Sequence, residues 1–224
     1  MPGTASATAG RVRGGLTLIL VAWIVDAIAG GALRTAEHVL LAEFHAHPES
    51  VAHPSSWFPV IDAGQLAIYL AVTVMLCVGI ARIAGPRESS LGAGVARAAA
   101  TLLVVDAVAG TMWPSVAARI LSVDAMISAM RVAGIVGVLS RGTALVLLAL
   151  LLRVGARRIG RDVDTLSSAT VGLVVVNSIV RWQMSSLETP LVWVLLEVTC
   201  AGVALLFVLI TVRLRRALAA TPGT

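Results

Sequence analysis

Four ionisable side chains lie inside long apolar stretches of this sequence. Asp26, Asp106 and Glu197 are acids, and Arg141 is a base. A charged side chain at the centre of a membrane helix costs about 2.5–3.5 kcal/mol on insertion scales, so such residues face other helices and find partners there. Because one guanidinium can bind two carboxylates, we predict that Arg141 pairs with Asp26, with Asp106 or with both.

These residues leave an excess of acid, since three carboxyl groups face one guanidinium. A carboxyl group without a partner in apolar surroundings is protonated or binds a cation, as in proton relays and cation-coupled carriers. The side-chain amide of Asn177 adds a hydrogen-bonding group. The candidate substrate- or ion-binding residues are therefore Asp26, Asp106, Arg141, Asn177 and Glu197. In the alternative interpretation, the ion pairs only fix the register of the helices.

All four histidines lie within sixteen residues that follow the first apolar stretch, and three glutamates are interleaved with them. The histidines are His38, His45, His47 and His53, and the glutamates are Glu37, Glu43 and Glu49. Imidazole and carboxylate groups can hold Zn²⁺ or Cu²⁺, and histidine titrates near neutral pH. The spacing matches no established metal motif, and Pro48 and Pro54 indicate an irregular loop. A metal site, a pH sensor and a solvated loop are thus three open interpretations.

Lipid must surround much of the chain that positions these residues. The 224 residues are 58% hydrophobic and 13% charged, with a mean hydropathy of +0.94, whereas about a quarter of the residues of a soluble domain are charged. Six stretches approach the roughly 20 helical residues that cross a bilayer. We predict an all-α polytopic bundle in which residues 1–224 form one transmembrane domain. The predicted helices cover residues 16–33, 61–83, 95–113, 132–152, 166–187 and 190–212, with an outer loop at 34–60.

The arginine positions predict how this bundle is oriented. All seventeen basic residues are arginine; twelve flank the helix ends on the side of the two termini, and four lie on the other side. The positive-inside rule then places both termini in the cytoplasm, in a plasma (inner) membrane. The pI of about 10.9 accompanies no nucleic-acid-binding motif. We predict that the protein contacts lipid and does not bind nucleic acid. A homo-oligomer or a larger membrane complex fits a bundle of this size.

Three features have two interpretations each. Residues 24–30 and 104–110 are nearly the same heptapeptide, which indicates either a duplicated unit or a chance match between two Ala- and Val-rich helices. The first apolar stretch resembles a signal peptide cleaved near Ala29, but it continues past that point as a membrane helix would. Residues 115–131 show helical periodicity and form either an interfacial helix or an outward extension of the fourth helix.

The sequence indicates a class of protein more clearly than an activity. It contains no phosphate-binding loop, serine nucleophile elbow or HExxH zinc motif, and no catalytic residue is assigned. Acids inside the membrane favour a small proton- or cation-coupled carrier. The alternatives are an accessory or structural subunit of a larger membrane complex and, on the strength of the histidines alone, an outward-facing metal-dependent enzyme.

Overall fold

Six long helices make up the described parts of the chain. The computed structural model describes residues 3–46, 58–84, 90–113, 120–158, 162–184 and 190–220, and these ranges are almost wholly helical, with no strand. Helix α1 consists of Gly3–Val25, a π-helical turn at Asp26–Gly30, and Gly31–Ala46. Helix α2 is Phe58–Ala84, and α3 consists of Ser90–Ala107 and a π-helical turn at Val108–Met112. Helices α4, α5 and α6 are Val123–Arg158, Asp164–Met184 and Pro190–Ala220.

All six of these helices are long and apolar enough to cross a membrane. The described chain is therefore a multi-pass membrane protein, as the composition predicts. Helix α5 is the least apolar of the six, which agrees with its weak signal in the sequence. In lipid every backbone amide must be bonded within the protein, and a helix satisfies this requirement without help from other segments.

Several helices extend beyond the ends predicted from the sequence, among them α1, α4 and α6. The predicted outer loop at 34–60 is wrong for residues 34–46, which continue α1. No glycine or proline lies between Gly31 and Pro48, and alanine, leucine and glutamate in this segment favour a helix. Residues 123–131 are the first turns of α4, which is the second of the two interpretations of that segment; residues 114–119 lie outside the described ranges.

The helices form a ring in chain order. Each one packs against the helices before and after it in the sequence, and α6 packs against α1 to close the ring. Helix α4 also contacts α6 across the ring. Every helix thus has one face toward the others, and residues at the same depth on different helices come together near the centre.

Apolar side chains close one half of the ring, which we call the apolar half: the half in which α1, α3 and α5 begin and α2, α4 and α6 end. Trp23 and Phe207 stack there with ring centroids 4.6 Å apart and planes within 6°, and both are buried together with Ile19, Ile80 and Leu148. Buried aliphatic and aromatic side chains fill most of this half.

Both copies of the repeated heptapeptide coincide with a deformed helical turn. Asp26 is the first residue of one π-helical turn, and Asp106 lies two residues before the other. A π-helical turn is rare and is often found at functional sites, because it widens the helix locally. The two acids of the sequence repeat therefore occupy similar local settings on α1 and α3.

Candidate functional site

Arg141 of α4 lies between the two repeated acids. Its Nη2 is 3.8 Å from Asp26 Oδ2, and its Nη1 is 3.7 Å from Asp106 Oδ2. The three side chains are only 9–17% exposed. Charge-assisted hydrogen bonds between a guanidinium and a carboxylate measure about 2.7–2.9 Å, so both contacts are ion pairs without a direct hydrogen bond.

A second arginine extends this pairing to α6. Arg34 donates from Nε to Glu197 Oε1 at 2.9 Å, and its Nη1 is 3.8 Å from Asp26 Oδ1. The side chain reaches back along α1 over Gly30, where an added Cβ would lie 3.1 Å from both Arg34 Nη1 and Asp26 Oδ1. A glycine at this position leaves the space that the ion pair needs. The result is a chain of charges, Glu197–Arg34–Asp26–Arg141–Asp106.

Tyr69 of α2 completes this chain at its other end. Its hydroxyl donates a hydrogen bond to Asp106 Oδ2, and Arg141 Cζ lies 5.2 Å from the centre of its ring, within the range of a cation–π contact. The sequence analysis does not single out Tyr69. The one available signal is that the only tyrosine of the chain lies inside an apolar span, where its hydroxyl needs a partner.

Arg181 of α5 is the third guanidinium of the site. Its Nε donates to Asn177 Oδ1 at 3.2 Å, and its Nη2 donates to Cys200 Sγ at 3.5 Å. Asn177 in turn donates to Thr199 Oγ1 at 2.8 Å. Among the described residues no carboxylate lies within 4 Å of Arg181. Asn177 therefore holds this arginine in place.

These groups surround a cavity of about 600 Å³. It lies in the other half of the ring, away from the apolar half. We call that half the cavity end. The lining residues that the site uses are Asp26, Arg34, Asp62, Tyr69, Asp106, Arg141 and Arg181. Asp62, Ala63 and Gly110 are also part of the lining and are exposed, so the cavity opens at this end of the bundle. Ligand pockets in proteins have volumes of about 300–1,000 Å³.

The charges of the linked cluster balance, which changes the excess of acid predicted from the sequence, although the exposed carboxyl group of Asp62 also lines the cavity. Asp26, Asp106 and Glu197 are accompanied by three guanidiniums, because Arg34 and Arg181 join Arg141. Arg34 is not among the candidate residues because the first helix is predicted to end at residue 33, and Arg181 is not among them because it lies near the end of the predicted fifth helix. The acid in excess over these three guanidiniums is Asp62, which is exposed.

The structure brings together four of the five candidate residues and places the fifth beside them. Asp26, Asp106, Arg141 and Glu197 belong to one chain of charges, and Asn177 touches Arg181 next to it. Glu197 and Asn177 are not part of the cavity lining. They act on the cavity through the arginines that they hold.

The predicted histidine site lies outside the part of the chain whose side chains the structure describes. His38 and His45 lie in the last segment of α1, whereas His47 and His53 lie outside the described residues. Within the described ranges no group of three or more His, Cys, Asp or Glu side chains is arranged to hold a metal ion. A zinc or copper site formed by all four histidines stays a prediction.

Comparison with known proteins finds no family model, curated protein or solved structure that matches this chain. The fold and the site alone define the class: a multi-pass helical membrane protein in which a ring of six helices encloses a charged cavity at one end.

Proposed function

We propose that this protein is a small carrier that admits a polar solute into the cavity and couples its movement to protons. The observation that supports the proposal is the cavity of about 600 Å³, which charged side chains from α1 to α5 line and the apolar half closes. A site that opens at one end and is sealed at the other fits one state of an alternating-access cycle.

The position of Arg141 favours protons over metal cations as the coupling ion. Its guanidinium lies between Asp26 and Asp106, where a bound cation would have to lie, and like charges at this distance repel strongly in low-dielectric surroundings. The two ion-pair distances are nearly equal. When a proton neutralises one acid, Arg141 keeps its pairing with the other, so the cluster has two alternative pairings.

Uptake into proteoliposomes tests the proposal. Purified protein is reconstituted with the interior more alkaline than the exterior, and a labelled monocarboxylate, a neutral amino acid and an organic amine are offered in turn. We expect at least one of them to accumulate, or to be expelled from preloaded vesicles, only while the pH gradient lasts. Asp106→Asn should abolish this dependence, whereas Asp164→Asn, in the ion pair with Arg153 and Arg157 away from the cavity, should retain it.

Folded protein that moves none of these solutes beyond the leak of empty vesicles would contradict the carrier. If the same protein also co-purified with a larger complex at a fixed ratio, the accessory-subunit interpretation would replace it. Folding is checked separately by a monodisperse elution profile and by a helical circular dichroism spectrum, so that failed reconstitution is not taken for an inactive protein.

A further inference from the structure

Arg181 has donors to spare where it meets the cavity. A guanidinium carries five N–H groups, and two of its nitrogens donate to Asn177 Oδ1 and Cys200 Sγ, the second of which is a weak acceptor. Within the described residues no carboxylate is close enough to pair with it, whereas Arg34 and Arg141 each lie within 4 Å of two acids. Of the three arginines that line the cavity, Arg181 is thus the one that can still bind an anion.

The rest of the cavity wall is suited to the body of a small organic acid. Leu66, Ile68 and Ala63 supply apolar surface, and Gly30 and Gly110 leave space in the wall. Arginine binds planar oxyanions through two parallel hydrogen bonds, and a carboxylate has the matching geometry. We infer that the cavity binds a small monocarboxylate, with its carboxylate on Arg181 and its apolar part against α2, and that each anion brings one proton with it.

The charges around Asp106 explain why a proton would bind together with the anion. The titratable and charged groups that face this part of the cavity are Asp26 and Arg34 of α1, Asp62 and Tyr69 of α2, Arg141 of α4, Arg181 of α5, and Glu197 and Cys200 of α6. Apart from the exposed Asp62 at the mouth of the cavity, the three guanidiniums balance Asp26, Asp106 and Glu197 before the anion arrives. An added monoanion restores an excess of one acid, and a buried unpaired carboxylate is relieved by taking up a proton.

The atoms and charges balance in this step. A carboxylate ion and a proton enter together, no covalent bond of the solute changes, and the proton ends on a carboxylate oxygen of the cluster. Asp106 is the acid that we assign to it, because Arg141 can then pair with Asp26 alone. This conclusion rests on the proposed carrier function for its role in transport, but binding itself can be measured without transport.

Calorimetric titration of the detergent-purified protein tests the inference, with benzoate as the probe. Benzamide is the matched neutral control, because it has nearly the same shape and lacks the charge. We expect benzoate to bind on the order of tenfold or more tightly than benzamide, since hydrogen bonds to charged groups are worth more than neutral ones. Titrations in buffers of different ionisation enthalpy should give about one proton taken up for each benzoate bound.

Two variants assign the roles of the residues. Arg181→Gln should weaken benzoate binding on the order of tenfold and leave the weak binding of benzamide unchanged, while Arg157→Gln, at the exposed pair with Asp164, should leave both unchanged. Asp106→Asn should still bind benzoate, because Arg181 is intact, but without uptake of a proton. Equal affinity for benzoate and benzamide, or full binding by Arg181→Gln, would overturn the inference.

The outcomes separate this inference from the proposed function. Binding of benzoate with proton uptake but without any flux in vesicles would retain the carboxylate site and reject the carrier. Gradient-dependent flux of an amine or a neutral amino acid, with no binding of benzoate, would retain the carrier and reject the carboxylate site.

Discussion

Arg141 is the residue that links the acids of α1 and α3, and its removal should be costly. Arg141→Gln leaves Asp26 and Asp106 without the charge that lies between them. Because a buried charge that loses its partner destabilises a protein by about 3–5 kcal/mol, we expect a decrease of this size in the free energy of unfolding. Titration with SDS from mixed micelles, followed by circular dichroism, measures the change.

The double variant Asp106→Asn with Arg141→Gln provides the control for this prediction. It removes one charge of each sign, so it should recover part of the stability that the single variant loses. Arg157→Gln should have little effect, since its side chain is 60% exposed and exposed ion pairs contribute little. If Arg141→Gln were as stable as the natural protein, water would already screen the charges of Asp26 and Asp106.

Two glycines one turn apart on α4 allow a matched test of how closely Asp106 approaches that helix. A Cβ added at Gly137 would lie 3.3 Å from Asp106 Oδ1, whereas one added at Gly134 would meet nothing within 4 Å. Gly137→Ala should therefore lower the free energy of unfolding relative to Gly134→Ala, by about 1–3 kcal/mol for a crowded contact. The same SDS titration measures both variants, and equal stabilities would show that Asp106 can move away freely.

The sequence predicts part of this site and misses part of it for clear reasons. Counting residues from the helix ends places Asp26, Asp106 and Arg141 at one depth, and in the structure they are neighbours. That method works for ionisable groups far from a helix end. It fails for Arg34, because it depends on where α1 ends, and it says nothing about Tyr69, whose partner lies on another helix.

At the scale of the helices, the sequence predicts the number of spans better than their ends. Apolar length alone identifies all six, because the bilayer imposes a minimum that only a long apolar stretch can meet. The ends continue beyond the apolar stretch where helix-forming residues follow, as at residues 34–46. The π-helical turns have no signature that composition reveals, although the repeated heptapeptide marks where both occur.

The contact between α1 and α2 depends on a pair of glycines in the apolar half. A Cβ added at Gly79 would lie 2.7 Å from Ile19 Cγ1 and 3.0 Å from the carbonyl oxygen of Gly15. Small residues let membrane helices approach closely, and this contact supplies the packing that holds them together. Gly79→Ala should therefore force the two helices apart and lower the free energy of unfolding by about 1–3 kcal/mol.

Gly172 on α5 is the matched control for this prediction, since a Cβ added there meets nothing within 4 Å. Gly172→Ala should be neutral or slightly stabilising, because alanine favours a helix over glycine by about 1 kcal/mol. If both variants lost stability equally, the cause would lie in the glycines' own flexibility and not in the contact between α1 and α2.

For the whole molecule, the direction in which the cavity opens determines from which side of the membrane a solute can enter it. Of the arginines that the structure describes, ten lie at the end of the bundle that carries the apolar half, against three toward the cavity end besides Arg141. Because basic residues are retained on the cytoplasmic side, we predict that the cavity opens away from the cytoplasm. A solute would then enter from outside, and the arginines of the apolar half would meet the anionic lipids of the inner surface.

Cysteine labelling in whole cells measures this orientation. In a background of Cys77→Ala and Cys200→Ser, where serine keeps an acceptor for Arg181, a membrane-impermeant maleimide should label Ser55→Cys and Ser185→Cys from outside. Ser6→Cys and Thr221→Cys should react only after the cells are opened. The reverse pattern would turn the cavity toward the cytoplasm and make the protein an exporter of the same solutes. Labelling of Ser6→Cys and Thr221→Cys from opposite sides would be incompatible with six crossings, because an even number of spans returns the chain to the side on which it began.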